Sequence, residues 1–156
     1  KDVPLNPRAK RALEEATHII IAPGHTYGSI IPTLASLSLG NPQALADSKA
    51  RIMVVMTLLT TPLHTVGWSG EDFVRVYESY LKRPVDVVIA NTGRVPIELV
   101  SGQQWVEFTE DSHKYNLEKV EVVRKTDSPQ QKHDAVPRPV LIHDSIEMNK
   151  VLRKHL

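Results

Sequence analysis

Cysteine is missing from all 156 residues of this chain, and long apolar runs are missing as well. Without cysteine, the chain has no disulfides, no thiolate catalysis and no cysteine-ligated zinc or iron–sulfur site. No apolar run approaches the roughly 20 residues that span a bilayer. The N-terminal segment KDVPLNPRAKRALEEA also lacks the apolar core of a signal peptide. We therefore expect a cytoplasmic protein that does not enter a membrane.

Several signals of function are missing too. The net charge is only +1, and no basic stripe carries interleaved aromatic residues, so we expect no nucleic-acid partner. The sequence has neither the His-Glu-x-x-His pattern of zinc peptidases nor the Gly-x-Ser-x-Gly turn of serine hydrolases. We predict no metal site from spacing alone and assign no catalytic residue.

What the chain does have is an alternation of apolar and amphipathic segments. Apolar runs at 19–22, 52–56 and 85–90 have the continuous pattern of strands buried in a parallel sheet. Helices are predicted at 8–16, 29–38, 42–48, 70–81 and 96–100, and a last one runs to about residue 154, with Asn6, Ser69 and Asp144 as caps. This order predicts an α/β fold in three layers, in which helices cover both faces of a parallel, Rossmann-like sheet. We treat residues 1–156 as one domain.

The pattern changes after Gly102. Short strands are predicted at 105–108 and 120–123, and the proline-containing segment 126–139 is predicted to be a mobile surface loop. His143 and Asp144 stand before the last helix, where they either cap it or turn toward a ligand crevice.

A glycine-containing turn follows the first apolar run. Gly24 and Gly28 let backbone amides approach a ligand closely, and the next helix would point its positive end at an anion. The alternative is an ordinary strand-to-helix turn, with Tyr27 either stacking on a base or packing on the helix. The residues assigned to this phosphate cradle are Pro23, Gly24, His25, Thr26, Tyr27, Gly28 and Ser29.

Polar residues also follow the other two apolar runs. Because the carboxyl ends of parallel strands meet at one edge of a sheet, all three loops are expected to share one crevice. His64 is either solvated or able to contact a phosphate, and Asn91 either reads a ligand or caps the next turn. The residues assigned to these two loops are Thr60, Thr61, His64, Thr65, Asn91 and Thr92.

The order of these motifs resembles the second half of the CofD-like family. That family includes the 2-phospho-L-lactate transferases and the YvcK-type gluconeogenesis factors, and the likeness to the YvcK branch is closer. The matching motifs are Pro-Gly-x-x-Tyr-x-Ser-Ile-Ile-Pro at 23–32, Thr-x-Pro-x-x-Thr-x-Gly-x-Ser at 60–69, and the Asn91 to Pro96 segment. The likeness extends over about 4–96 and more loosely to the end.

The chain also departs from the family pattern. Family members are about twice as long, and their first half carries a Gly-Gly-Gly-Thr-Gly phosphate loop and an Asp-Asp-Gly-Gly segment that this chain lacks. Within the matched motifs His25, Gly28, Thr57, His64 and Val66 replace the family's residues, and two acidic positions are lost. The resemblance therefore implies half of a ligand site, completed by a missing N-terminal half or a partner chain, in a homodimer.

The resemblance implies a nucleotide or nucleotide-sugar binding protein. The ligand would be of the UDP-sugar type, and the role would be regulatory, in carbon metabolism or cell-envelope synthesis. One alternative is a CofD-type transferase that moves a phospholactyl group and uses Mg²⁺. Another alternative is a scaffold that binds no ligand.

Overall fold

The computed structural model describes residues 5–40, 45–99, 102–109, 114–125 and 141–156. In chain order the elements are α1 (Pro7–Glu15), β1 (His18–Ile21), a π-helical turn (Thr26–Ile30), α2 (Ile31–Gly40), β2 (Arg51–Val55), α3 (Gly70–Leu81), β3 (Val87–Asn91), β4 (Asn116–Val120), β5 (Val123–Lys125), β6 (Leu141–His143) and α4 (Ser145–Leu152). No helix in these ranges is both long enough and apolar enough to cross a bilayer.

The main sheet has the strand order β1-β2-β3-β4, and every neighbouring pair is parallel. Ile21 pairs with Val54, and Val55 pairs with Ile89, so the carboxyl ends of the first three strands lie at one edge. β1 is an outer strand of this sheet, and its Ile20 is 42% exposed. β5 and β6 form a separate antiparallel pair.

Apolar side chains cover both faces of the main sheet, which confirms the predicted three-layer α/β architecture. On one face, Val54 and Val88 pack in a core with Leu34 of α2 and Phe73 of α3. On the other face, the side chains of the alternate strand positions form a second core with α4. The residues of this second core are Met53, Val55, Val87, Ile89, Val122, Met148 and Val151.

The helix N-caps described next were predicted from the sequence, and the structure confirms them. Asn6 accepts a hydrogen bond from the Arg8 amide, with Pro7 as the first residue of α1. Ser69 and Asp72 form a capping box at the start of α3, in which each side chain accepts from the other residue's amide. The backbone hydrogen bond from Ser69 lowers the pKa of the Asp72 carboxyl. These contacts fix where α3 leaves the polar loop after β2.

Three predicted elements of the second half were wrong. The fourth strand of the sheet is Asn116–Val120, whereas a strand was predicted at 120–123. It lies half-exposed at an edge of the sheet, so its sequence lacks a continuous apolar run. Residues 96–99 are not helical, and 105–108 contribute only a bridge from Trp105 to Leu59. The segments 126–139 and 42–44, for which a mobile loop and a helix were predicted, lie outside the described residues.

Ser69→Ala should destabilise the fold, because it leaves the Asp72 amide without its side-chain acceptor. Loss of an N-cap costs about 1 kcal/mol, which corresponds to a melting temperature about 2–4 °C lower in a domain of this size. Chemical denaturation with the midpoint and slope fitted together measures the change. Ser79→Ala is the matched control, since the Ser79 hydroxyl donates only to the Val76 carbonyl within α3. Equal stability of the two variants would contradict a role for the cap.

Candidate functional site

The segment after β1 is a helical turn rather than the open loop that the sequence predicted. His25 is its N-cap, and the ring nitrogen Nδ1 accepts a hydrogen bond from the Gly28 amide at 2.8 Å. The amides of Ser29 and Ile30 donate to the His25 carbonyl at 2.9 and 3.2 Å. Helical structure therefore begins at Thr26, three residues before the predicted start, because a histidine supplies the cap that Ser, Thr, Asp or Asn usually supplies.

The two glycines of the turn allow close approach rather than an unusual backbone angle. A Cβ at Gly28 would lie 3.1 Å from Nδ1 of His25, so a larger residue would require the capping ring to shift by a few tenths of an ångström. A Cβ at Gly24 would lie 2.9 Å from Oγ of Ser29. Neither glycine has a positive φ. Gly28 is therefore the partner of the histidine cap.

Only the first amides of this turn remain as donors for the predicted phosphate cradle. The amides of Gly28 and Ser29 already donate within the turn, whereas those of Thr26 and Tyr27 precede its first backbone hydrogen bond. The Thr26 side chain is buried, and its hydroxyl lies 3.4 Å from the Tyr77 hydroxyl, whose pKa is raised by burial. The first two amides are thus the backbone donors that the turn offers to an anion.

In the loop after β2, the threonines hold the loop together. Thr60 is buried; its amide donates to the Gln104 carbonyl at 2.8 Å, and its hydroxyl oxygen accepts from the Gln104 amide at 2.9 Å. Thr65 is also buried, and its Oγ1 accepts from the Thr61 amide at 2.8 Å. The polar rim that the sequence predicted is therefore partly turned inward.

The structure brings the first two loops together through aromatic rings. The His64 ring centroid lies 5.3 Å from that of His25, in an edge-to-face arrangement, and 6.1 Å from that of Tyr27. Tyr27 also lies 6.0 Å from Trp68. Tyr27 is 45% exposed. His64 is exposed next to it.

The loop after β3 offers fewer side-chain groups to a ligand than predicted. Asn91 is buried, and its Oδ1 accepts from the amides of Gly93 and Val122, both at 3.1 Å. Its Nδ2 donates to the Gly93 carbonyl at 2.8 Å. The chain itself thus uses the side chain of Asn91, which fits the alternative that this residue caps the turn. Thr92 is exposed, and its amide donates to the Val120 carbonyl.

A cavity of about 740 Å³ opens at the carboxyl ends of β1 and β2. Residues 23–25 of the cradle and residues 57–61 after β2 form two of its sides, and Ile97, Glu98, Gln103 and the segment 141–143 form the others. Its lining residues are Pro23, Gly24, His25, Thr57, Leu58, Leu59, Thr60, Thr61, Ile97, Glu98, Gln103, Leu141, Ile142 and His143. The predicted site residues that are not among them are Thr26, Tyr27, Gly28, Ser29, His64, Thr65, Asn91 and Thr92.

His143 is the site residue that the sequence did not assign. Asp144 caps α4 by accepting from the amides of Ile146 and Glu147, whereas the neighbouring His143 ring lines the cavity. Its Nε2 donates to the Met56 carbonyl at 3.0 Å. The sequence left two roles open for the His-Asp pair, capping the helix or turning toward the crevice; Asp144 takes the first role, and His143 lines the cavity. Burial lowers the pKa of His143, and the hydrogen bond with Met56 offsets part of that change.

The described lining contains few of the ligands that a magnesium site needs. Mg²⁺ prefers oxygen ligands, usually including one or two carboxylates. Glu98 is the carboxylate among the described lining residues. The described part of the chain nowhere gathers three or more histidine, aspartate or glutamate side chains.

His143→Gln should make stability less sensitive to pH. Because burial lowers the pKa of His143 below 6.5 in the folded protein, the unfolded chain takes up the proton first. Its contribution to the free energy of unfolding is therefore full above about pH 6.5 and falls as the pH decreases from that value. The Gln amide keeps a donor for the Met56 carbonyl and does not titrate.

Melting temperatures from pH 7.5 to pH 5 measure this difference. We expect the wild type to lose more stability than His143→Gln below pH 6.5, and the pH 7.5 values provide the reference for each protein. Parallel curves would contradict the burial of an uncharged His143.

Comparison with known proteins agrees with the fold and the motifs. The sequence model of the family described as "2-phospho-L-lactate transferase CofD" matches residues 1–129. A candidate gluconeogenesis factor of Thermotoga maritima is 32% identical over 140 residues, which cover 83% of this chain and 44% of that protein. The "Gluconeogenesis factor" of Listeria innocua is 34% identical over 95 residues, which cover 60% of this chain and 29% of that protein.

Solved structures show the same fold. A Bacillus halodurans protein of the UPF0052 family superposes with a TM-score of 0.75 at 20% identity, over 97% of this chain and 48% of that one. The chain thus spans about half the length of these similar proteins, or less. Because the family model matches 129 residues and a relative is 32% identical over 83% of this chain, the chain belongs to the CofD family, on the side of its gluconeogenesis factors.

Proposed function

We propose that this chain forms one side of a binding site for a nucleotide sugar, at the carboxyl ends of β1 and β2. The observation that carries the proposal is the cavity of about 740 Å³ that opens beside the histidine-capped turn. Ligand sites usually have volumes of about 300–1,000 Å³, and in open parallel sheets they lie beyond the carboxyl ends of the strands. A ligand of the UDP-sugar type suits a cavity of this volume.

The charge distribution supports one orientation of the ligand. The free amides of Thr26 and Tyr27 lie at the positive end of a helix, where a phosphate is favoured. Apolar side chains, among them Leu58 and Ile142, line much of the cavity. We therefore place the phosphates at the start of the turn and the uncharged part of the ligand in the cavity.

The role that accompanies this binding is regulatory. The relatives named gluconeogenesis factors support a place in carbon metabolism, and the resemblance adds cell-envelope synthesis as a second process. We further propose that the protein acts in the cytoplasm as a homodimer, with the rest of the site supplied by another segment. Cell fractionation and light scattering measure location and assembly.

A UDP-sugar such as UDP-N-acetylglucosamine should raise the melting temperature. A ligand that binds only the folded state at 100 times its Kd stabilises it by about 2.7 kcal/mol, which corresponds to roughly 5–10 °C in a domain of this size. Differential scanning fluorimetry with millimolar ligand measures the shift, and N-acetylglucosamine without the nucleotide is the control. No shift with any UDP-sugar would overturn the proposal.

Gly24→Asp should weaken binding of the same ligand. It places a carboxylate beside the turn where the phosphate is proposed to lie, while its Cβ meets only Oγ of Ser29 and the tip of Ile30. Repulsion between two charges at about 4 Å costs about 1 kcal/mol in water and about 4 kcal/mol near a protein surface. Affinity should therefore fall at least about fivefold.

Isothermal titration calorimetry measures the affinity of this variant. Ser36→Asp adds the same charge on the exposed side of α2 and is the matched control. If Gly24→Asp and Ser36→Asp bound the ligand equally well, the phosphate would lie elsewhere.

A further inference from the structure

Two histidines line the cavity, and the backbone determines which ring nitrogen of each carries the proton. An amide N–H can only donate, so Nδ1 of His25, which accepts from Gly28, carries no hydrogen. A neutral imidazole has one protonated nitrogen. His25 therefore carries its proton on Nε2, as a donor that the cap does not use.

His143 also carries its proton on Nε2, but the nitrogen that remains available to a ligand is Nδ1. A carbonyl can only accept, so the 3.0 Å contact between Nε2 and the Met56 carbonyl places the proton on Nε2. Nδ1 remains as an acceptor. Burial keeps this ring uncharged near neutral pH, because it lowers the pKa of His143.

The remaining lining is largely uncharged. Leu59, Ile97 and Leu141 form apolar walls, and Glu98 is the only Asp, Glu, Lys or Arg among the described lining residues. Beside these apolar walls and the polar residues Thr57, Thr60, Thr61, Glu98 and Gln103, the two histidine rings supply one donor and one acceptor whose roles the backbone fixes. A phosphate oxygen can only accept, so it suits His25 and not His143.

We propose that His25 and His143 determine specificity, by binding an uncharged group of the ligand that offers both an acceptor oxygen and an O–H or N–H donor. This inference rests on the proposed function. In a UDP-sugar two parts have this chemistry, namely the hydroxyl groups of the sugar and the carbonyl and N–H edge of uracil. The ring of His25 is held in place by Gly28 on one side and by the His64 ring on another.

Two substitutions separate ligand binding from structure. His25→Asn keeps a side-chain oxygen that can cap the turn but lacks the donor at the Nε2 position. His143→Gln keeps a donor for the Met56 carbonyl but lacks the acceptor at Nδ1. His18→Asn, at the opposite end of β1, is the matched control.

Calorimetric titration with UDP-N-acetylglucosamine should give an affinity roughly three- to tenfold lower for both site variants, as expected for loss of one uncharged hydrogen bond, and no change for the control. Titration with UDP, which lacks the sugar attached to the diphosphate, shows whether the histidines bind that sugar or the uracil. If the loss disappears with UDP, the histidines bind the sugar; if it persists, they bind uracil. If either site variant bound the ligand with wild-type affinity, the proposed joint role of His25 and His143 would be wrong.

A measurement without ligand tests the tautomers. Long-range ¹H–¹⁵N spectra of the histidine rings at pH 7.5 should show an unprotonated Nδ1 in both His25 and His143. A protonated Nδ1 in either ring would overturn the inference even if the wild type binds the nucleotide sugar. If the rings have the expected tautomer but the wild type binds no UDP-sugar, the proposed function fails, and the specificity inference fails with it.

Discussion

The Gly28 amide donates to Nδ1 of His25, and the carboxyl end of β1 is shaped around this hydrogen bond. It starts the helix at Thr26, and it leaves little room for a Cβ at position 28. It also fixes the protonation of the ring, because an imidazole that accepts at one nitrogen presents a donor at the other. A residue that would ordinarily be read as a loop histidine thus combines a structural and a chemical role. The proposed ligand contacts depend on the same ring.

The sheet supplies the second constraint. Parallel pairing of β1 with β2 places the turn and the threonine-containing loop at the same edge. Hydrogen bonds of Thr60 with the Gln104 backbone, and of the Thr65 hydroxyl with the Thr61 amide, hold that loop. Met56, just beyond β2, leaves its carbonyl free to accept from His143 of the short β5–β6 pair. A segment far along the chain therefore becomes part of the wall. Backbone groups at strand ends, rather than side chains alone, define the site.

Much of the fold was predictable because its signals are local. Ser69 and Asp144 cap helices as their types and positions predicted, and the apolar runs form three of the four strands of the main sheet. β4 was misplaced because an edge strand needs no continuous apolar pattern. The site was less predictable, since its decisive contacts are long-range. The bond between His143 and Met56 joins residues 87 positions apart, and the role of Asn91 depends on the distant amide of Val122. Short patterns carry no information about such pairs.

The outer position of β1 has a consequence for how the cavity is enclosed. One side of β1 pairs with β2, and its other edge has unpaired peptide groups beside the exposed Ile20, within the sheet as described. A further parallel strand added along that edge would pair with these peptide groups and would end next to the His25 turn, since the carboxyl ends of parallel strands lie at the same edge. Docking of such a strand and occupation of the cavity would then favour each other thermodynamically, because each would complete a surface that the other contacts.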